Sequence, residues 1–396
     1  MPLSFRLQKP WFWNAFGFLP LALPLYLLRF RIGSLPTTGL ELILLTTFAT
    51  ATVLFGIRIW KDGWRDLGVF RLPVVLWTVA ATIAVGVAPD LRVALGLWRA
   101  YILEPALLLP ILCAGLVQDS ELRKRLATSG TILLIGLFVW AAIGFALNSG
   151  IPSPWDTASF LTRRATGPFP FPNALALVAA PFAGWLFAEG ARRRQPLLIA
   201  GALAGLGSAI IAKSVGGSLA IGSAILLFCL SHRPWRKAAI AIAASGILVV
   251  GAIPALRSKT IKTLTFDEWS GRVRVWMWQD TWRMLKDRPM LGAGFGGYPT
   301  VFRPYQSKPF IEIFQYPHQI ILTLWSETGL FGLCAFATIC GTWLVVAWKD
   351  PERRPLAFAL VAILIHGLVD VPYFKNDLAV QFWILAGLVA VPKSRS

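Results

Sequence analysis

Acidic residues are scarce in this chain: 19 Asp and Glu stand against 38 Lys and Arg, and charged residues of both signs make up only 14% of its 396 residues. So little charge cannot cover a water-soluble globule of this length. With 56% hydrophobic residues, 18 Trp and a mean hydropathy of +0.64, the composition suits helices that use the bilayer as solvent. Cysteine is scarce too. Cys113, Cys229, Cys334 and Cys340 all fall in apolar runs without paired metal-ligand spacing, which argues for small buried hydrophobes and against a metal or redox centre. The leading MPLSFRLQKPWFW passes into an apolar run with no small-residue cleavage site, so no cleaved signal peptide is expected. No convincing internal repeat is present. The net charge of +19 sits in short turns between apolar runs, where anionic headgroups and topology account for most of it, and no aromatic, basic platform for nucleic acid can be laid out between them.

What is present is a succession of apolar runs, near 11–30, 38–57, 72–89, 95–117, 128–148, 173–189, 196–212, 216–231, 237–254, 326–348, 355–371 and 378–393. They predict an all-α, polytopic integral membrane protein with about twelve transmembrane helices in a single domain, 1–396. With the N-terminus inside, Arg6 and Lys9, IRIWKDGWRDLGVFR, LRKR, ARRRQ, RPWRK, WKDPERR and the terminal KSRS all fall on the cytoplasmic face, as the positive-inside rule requires. Arg29 and Arg31 are the exception. The other face receives the turn at Asp90 and Arg92, the segment 149–172, KSVGG, a large loop 255–317 between the ninth and tenth helices, and VPYFKND.

That large loop breaks the charge pattern, because it carries ten Lys or Arg against five Asp or Glu on the face where few cations are expected. Within it GRVRVWMWQDTWRMLKDRP predicts an interfacial amphipathic helix stopped by Pro289, with Arg272, Trp276, Gln279 and Arg283 on one stripe. A membrane-surface helix without chemistry and an anion-binding helix both fit this pattern. LGAGFGGYP, which follows, is a glycine-dense turn compatible with close backbone approach to an anion. His318 stands where the loop re-enters the membrane. It is either a structural hydrogen-bonding residue or a base: an imidazole titrates near neutrality, and the neighbouring Arg side chains keep their charge and bind phosphate oxygens bidentately. Glu327, nine residues on, is about half a helical revolution away, with capping, packing and catalysis all open. In WRAYILEPALLLP, Arg99 lies about one turn into the membrane and Glu104 deeper, a spacing imperfectly aligned on an α-helix. Arg99 therefore either lines a cavity or has a structural partner.

Taken in order, GRVRVWMWQDTWRMLKDRPMLGAGFGGYP, YPHQIILTLWSETGLFGL and HGLVDVPYF resemble the C-terminal signature of the bacterial O-antigen ligase and polymerase superfamily, and RRATGPFPFPNALALVAAP is similar to its upstream loop and span. The resemblance covers about 160 to 375. It implies a GT-C-like membrane glycosyltransferase of the bacterial inner membrane, with no cofactor or metal, that takes a glycan from an undecaprenyl-diphosphate carrier on the periplasmic face. By the same resemblance His318 matches the proposed base, Arg272 the loop Arg, and Arg163 or Arg164 the earlier Arg. Where relatives often read Ser-Arg-Gly, this chain has Ser214, Val215 and Gly216, which leaves Lys213 as a stand-in with a point charge instead of a fork. Arg99 is a further candidate for the diphosphate. Arg274, Glu327, His366 and Asp370 are candidates for cavity or support roles, with His366 and Asp370 one helical turn apart.

The expected function is O-antigen ligase: inverting transfer of the carrier-linked glycan to a hydroxyl of lipid A–core, since no convincing pair of carboxylates suggests a glycosyl-enzyme intermediate. A polymerase joining carrier-linked repeats is the alternative within the superfamily. A lipid-linked sugar transporter or flippase is the alternative outside it, and would be expected to show repeat symmetry and broken helices in matching halves.

Overall fold

The structure, a computed structural model, describes residues 9–33 and 35–392. Arg6 and the terminal KSRS of the expected charge alternation lie outside the described residues. All twelve apolar runs fall on helices, but of unequal length. Among the described residues, six helices are long and apolar enough to cross a membrane: Gly68–Gly86, Leu91–Gln118, Leu122–Leu147, Pro172–Arg193, Arg233–Ala252 and Ile320–Lys349. A seventh candidate is Gly39–Phe55, which bends by 107° into the polar helix Arg58–Asp66. The bend falls at Gly56, whose φ of +63° is a left-handed value that a side chain would resist. Pro196–Ile211, Val215–Ser231, Pro355–Gly367 and Asn376–Ala390 are shorter apolar helices. The first run is broken into Pro10–Phe16, Leu19–Ala22 and a 3₁₀ turn Leu23–Leu27, with Pro20 and Pro24 at the starts of the last two.

Burial follows composition. Pro172–Arg193 is apolar around its circumference between Asn173 and Glu189, is buried over that length, and forms the centre of the bundle. Arg233–Ala252 has Ala239 as its one buried residue, as expected of a span that faces lipid on nearly all sides. At one end of the bundle Arg192 and Arg193 from ARRRQ both pair with Glu352 from WKDPERR, at 2.6 and 2.8 Å. Arg123 from LRKR donates to Leu388 O and Val391 O at 2.7 and 2.9 Å. Three of the expected basic clusters thus meet at one end.

The large loop emerges from the opposite end and is mostly helical, as Pro254–Leu264, Trp269–Asp287 and Tyr298–Phe302. It is clamped to the bundle where Ile320–Lys349 breaks at Gly329, φ +69°. A Cβ there would lie 2.1 Å from Met290 O, so only glycine admits the loop backbone, and Leu330 N donates to that carbonyl at 3.2 Å. Beside it a short antiparallel hairpin pairs Arg29–Ile32 with Leu35–Thr38. Thr38 then starts Gly39–Phe55 with a capping box: its hydroxyl accepts from Glu41 N while Glu41 accepts from Thr38 N.

Candidate active site

Five segments distant in sequence converge at the loop end of the bundle, and His318 is where they meet. It has φ +49°, a left-handed conformation uncommon for a residue with a side chain, though less so for His than for most. Its Nδ1 lies 3.2 Å from Asp370 Oδ1, and its ring packs edge-on against Phe314 at 5.1 Å. A carboxylate only accepts, so Nδ1 is the donor, and in the neutral ring the lone pair is on Nε2. Asp370 is buried. Its Oδ1 also accepts from Val371 N at 2.9 Å, and its Oδ2 from Asn173 Nδ2 at 3.1 Å. Asn173 Oδ1 in turn accepts from Arg164 Nη2 at 3.0 Å, which fixes the amide between a guanidinium and a carboxylate. The result is one connected chain, Arg164–Asn173–Asp370–His318. Arg274 comes up beside it from the Trp269–Asp287 helix, donating through Nε to Val369 O at 3.0 Å.

The electrostatics are those of a crowded cationic site with one anion built in. Burial alone would raise the Asp370 carboxyl; the hydrogen bond from His318 and the charges of His318, His366 and Arg274 outweigh it and hold the group well below the usual carboxylate range. Burial, and then Arg274, push the Arg164 guanidinium down. Lys213 is pushed down by burial, then by Arg164, Lys259 and Arg163. Cations that destabilise one another in this way are relieved when an anion binds.

Residues 200–337 match the family model described as O-antigen ligase. Over those residues the chain is similar to the O-antigen ligase family. No curated protein matches the chain. The ligase-family stretch contributes His318 and Arg274 to the site, while Arg164, Asn173 and Asp370 come from outside it.

The other expected residues separate by position. Arg163 and Arg164, adjacent in sequence, point to different work. Arg163 is spent inside its own loop, donating to Thr157 O, Phe145 O and Ala158 O at 2.9, 2.6 and 2.9 Å. Lys213, with φ +50°, donates through Nζ to Phe160 O at 2.7 Å, and its carbonyl lies 3.4 Å from Arg164 Nη2. Arg272 is exposed with Gln279 and Arg283 on the outer stripe of its helix, whereas Arg274 faces the Val369–Asp370 turn.

Asp370 is not a helical partner of His366, because Pro355–Gly367 ends before it and the carboxylate turns to His318 and Asn173. His366 is buried against the KSVGG turn, where a Cβ on Gly216 would lie 3.1 Å from its ring. The glycine-dense turn does approach an anion, but that anion is Glu327: Gly296 N donates to Glu327 Oε2 at 2.5 Å. Arg99 lies in a different cavity. Its ion pair with Glu104, 3.3 Å, forms because residues Arg99–Leu103 make a π-helical turn, whose i to i+5 repeat aligns a spacing that an α-helix would stagger. Arg99 also pairs with Glu41 at 2.9 Å.

Asn173 was not singled out as a site residue, although it lies in RRATGPFPFPNALALVAAP, a segment that carries the resemblance. Lys375, described below, gave no signal in the sequence.

Proposed function

We propose that this chain transfers a glycan from undecaprenyl diphosphate to a hydroxyl of lipid A–core, on the periplasmic face of the bacterial inner membrane, without a metal and with inversion. O-antigen ligase family members are glycosyltransferase-like enzymes, and the observation that carries the finer reading is the Arg164–Asn173–Asp370–His318 chain with Arg274 beside it. Asp370 fixes the tautomer and orientation of His318, so that Nε2 accepts the proton of the acceptor hydroxyl. The hydroxyl oxygen attacks the anomeric carbon as the bond from that carbon to the diphosphate oxygen breaks. The departing diphosphate carries the electron pair, and Arg164, Arg274, Lys213 and Arg272 neutralise it, the service a bound cation gives elsewhere.

Arg164 and Arg274 each commit part of a five-donor fork to the scaffold, which fixes the plane in which the remaining donors meet a phosphate. Supplying purified protein with a carrier-linked glycan and either lipid A–core or a second carrier-linked repeat tests the reading. Product on lipid A–core is expected. Growth of the glycan on the carrier alone would make the chain a polymerase, and the absence of transfer to either acceptor would reject both.

A further inference from the structure

A cavity of about 1020 Å³ opens on the same end of the bundle between the Arg29–Ile32 hairpin, the Leu91–Trp98 helix and the Lys375–Asn376 turn. The His318 chain does not line it. Its charged lining is Arg29, Arg92, Arg99 and Lys375 against Glu41 alone. Glu41 is matched by Arg99 and by the Thr38 cap, which leaves Arg29, Arg92 and Lys375 as the excess.

Lys375 is the unusual member of the three. Its Nζ is shut off from solvent and, among the described residues, donates no hydrogen bond; the Asp377 carboxylate is 4.0 Å away, and the centre of the Tyr26 ring is at 4.4 Å. An ammonium held by aromatic faces and one long ion pair still has most of its donor capacity unused. The cavity's other wall is apolar and open: Phe30, Leu35, Leu91, Val93 and Leu95 are 40–57% exposed. Cations gathered above an exposed apolar wall, in a chain that spans a bilayer, match a phosphate headgroup above a hydrocarbon chain. This arrangement also gives a use to Arg29, an exception to the charge alternation of the turns.

We infer that this cavity binds a phosphate-bearing lipid, with the phosphate held by Arg29 and Arg92 at the rim, drawn further by the buried charge of Lys375, and the chain along the Leu91–Leu95 wall. The site stands independently of the proposed transfer reaction, since it shares no side chain with the His318 relay.

Native mass spectrometry of the full-length protein in neutral detergent tests it, with phosphatidylglycerol and phosphatidylcholine offered in turn and inorganic phosphate as competitor. Preferential retention of phosphatidylglycerol is expected, weakened by about tenfold or more in the Arg29→Gln/Arg92→Gln double variant and in Lys375→Met. The double variant changes only side chains at the rim, so it remains informative if Lys375→Met fails to fold. Equal retention of the two lipids, or an undiminished preference in a folded double variant, would overturn the site. Displacement of phosphatidylglycerol by millimolar inorganic phosphate would overturn the lipid assignment in favour of a free-anion site.

Discussion

His318 and Asp370 are separated by 52 residues of chain and by two helices, yet Nδ1 of one lies 3.2 Å from Oδ1 of the other. With its carboxyl held below the ordinary value, Asp370 adds stability that is complete above its unfolded-state value near pH ~4 and is lost as pH falls through the lower folded value. It therefore stays ionised at neutral pH as the acceptor of the His318 hydrogen bond. Removing the carboxylate withdraws support from the protonated ring. Asp370→Asn is expected to lower transfer by ~10²-fold, the lower end of what a general base contributes. A near-normal rate in a folded Asp370→Asn variant would take Asp370 out of the reaction.

For His318 itself, substitution separates proton transfer from scaffolding. His318→Ala is expected to leave a folded, carrier-binding protein with transfer down ~10²–10⁴-fold. His318→Gln offers an amide donor to Asp370 but cannot take the hydroxyl proton, so it should do little better. Full activity in His318→Gln, at matched membrane levels, would reduce the residue to a strut.

Arg272 and Arg274 lie two residues apart, about 200° around a helix. Arg274 faces the Asp370 turn and Arg272 faces outward, so the loss from Arg274→Ala should exceed that from Arg272→Ala. Truncating a partner of a desolvated charge contact costs on the order of 2–5 kcal/mol, whereas an exposed contact costs about 1 kcal/mol or less. Arg274→Lys should rescue only in part, because a point charge replaces a fork. Steady-state rates at saturating acceptor, with carrier concentration varied, measure both effects. The reverse order of losses would return the diphosphate contact to Arg272.

The helical character of the twelve apolar runs was legible because lipid forces every backbone group to find a partner within its own segment. The position of His318 at the loop's return was legible for the same reason, since helix ends fix where loops re-enter. What could not be read was any contact that depends on the local departure from an ideal α-helix. Arg99 and Glu104 are misaligned until a π turn intervenes, and His366 and Asp370 are one turn apart only while the helix continues past Gly367. The facing of Arg272 and Arg274 was hidden because both helix faces carry Trp and Arg, and packing alone decides which is inward. Lys375 was invisible because the rings around it, Tyr26, Phe169 and Phe171, come from two remote segments.

Arg99 supplies a stability test that is separate from catalysis. Its guanidinium sits between Glu41 at 2.9 Å and Glu104 at 3.3 Å, and both carboxylates are buried. Arg99→Met leaves two buried acids facing each other without a cation. Breaking a buried ion pair on one side costs about 3–5 kcal/mol, because the stranded charge keeps its desolvation penalty. The variant should show a lower thermal midpoint in detergent and a reduced folded yield. Neutralising the acids as well, in Arg99→Met/Glu41→Gln/Glu104→Gln, removes the stranded charge and should recover most of the midpoint. If Arg99→Met alone melts like the parent protein, the triad contributes nothing to stability, and Arg99 is held in place for a ligand.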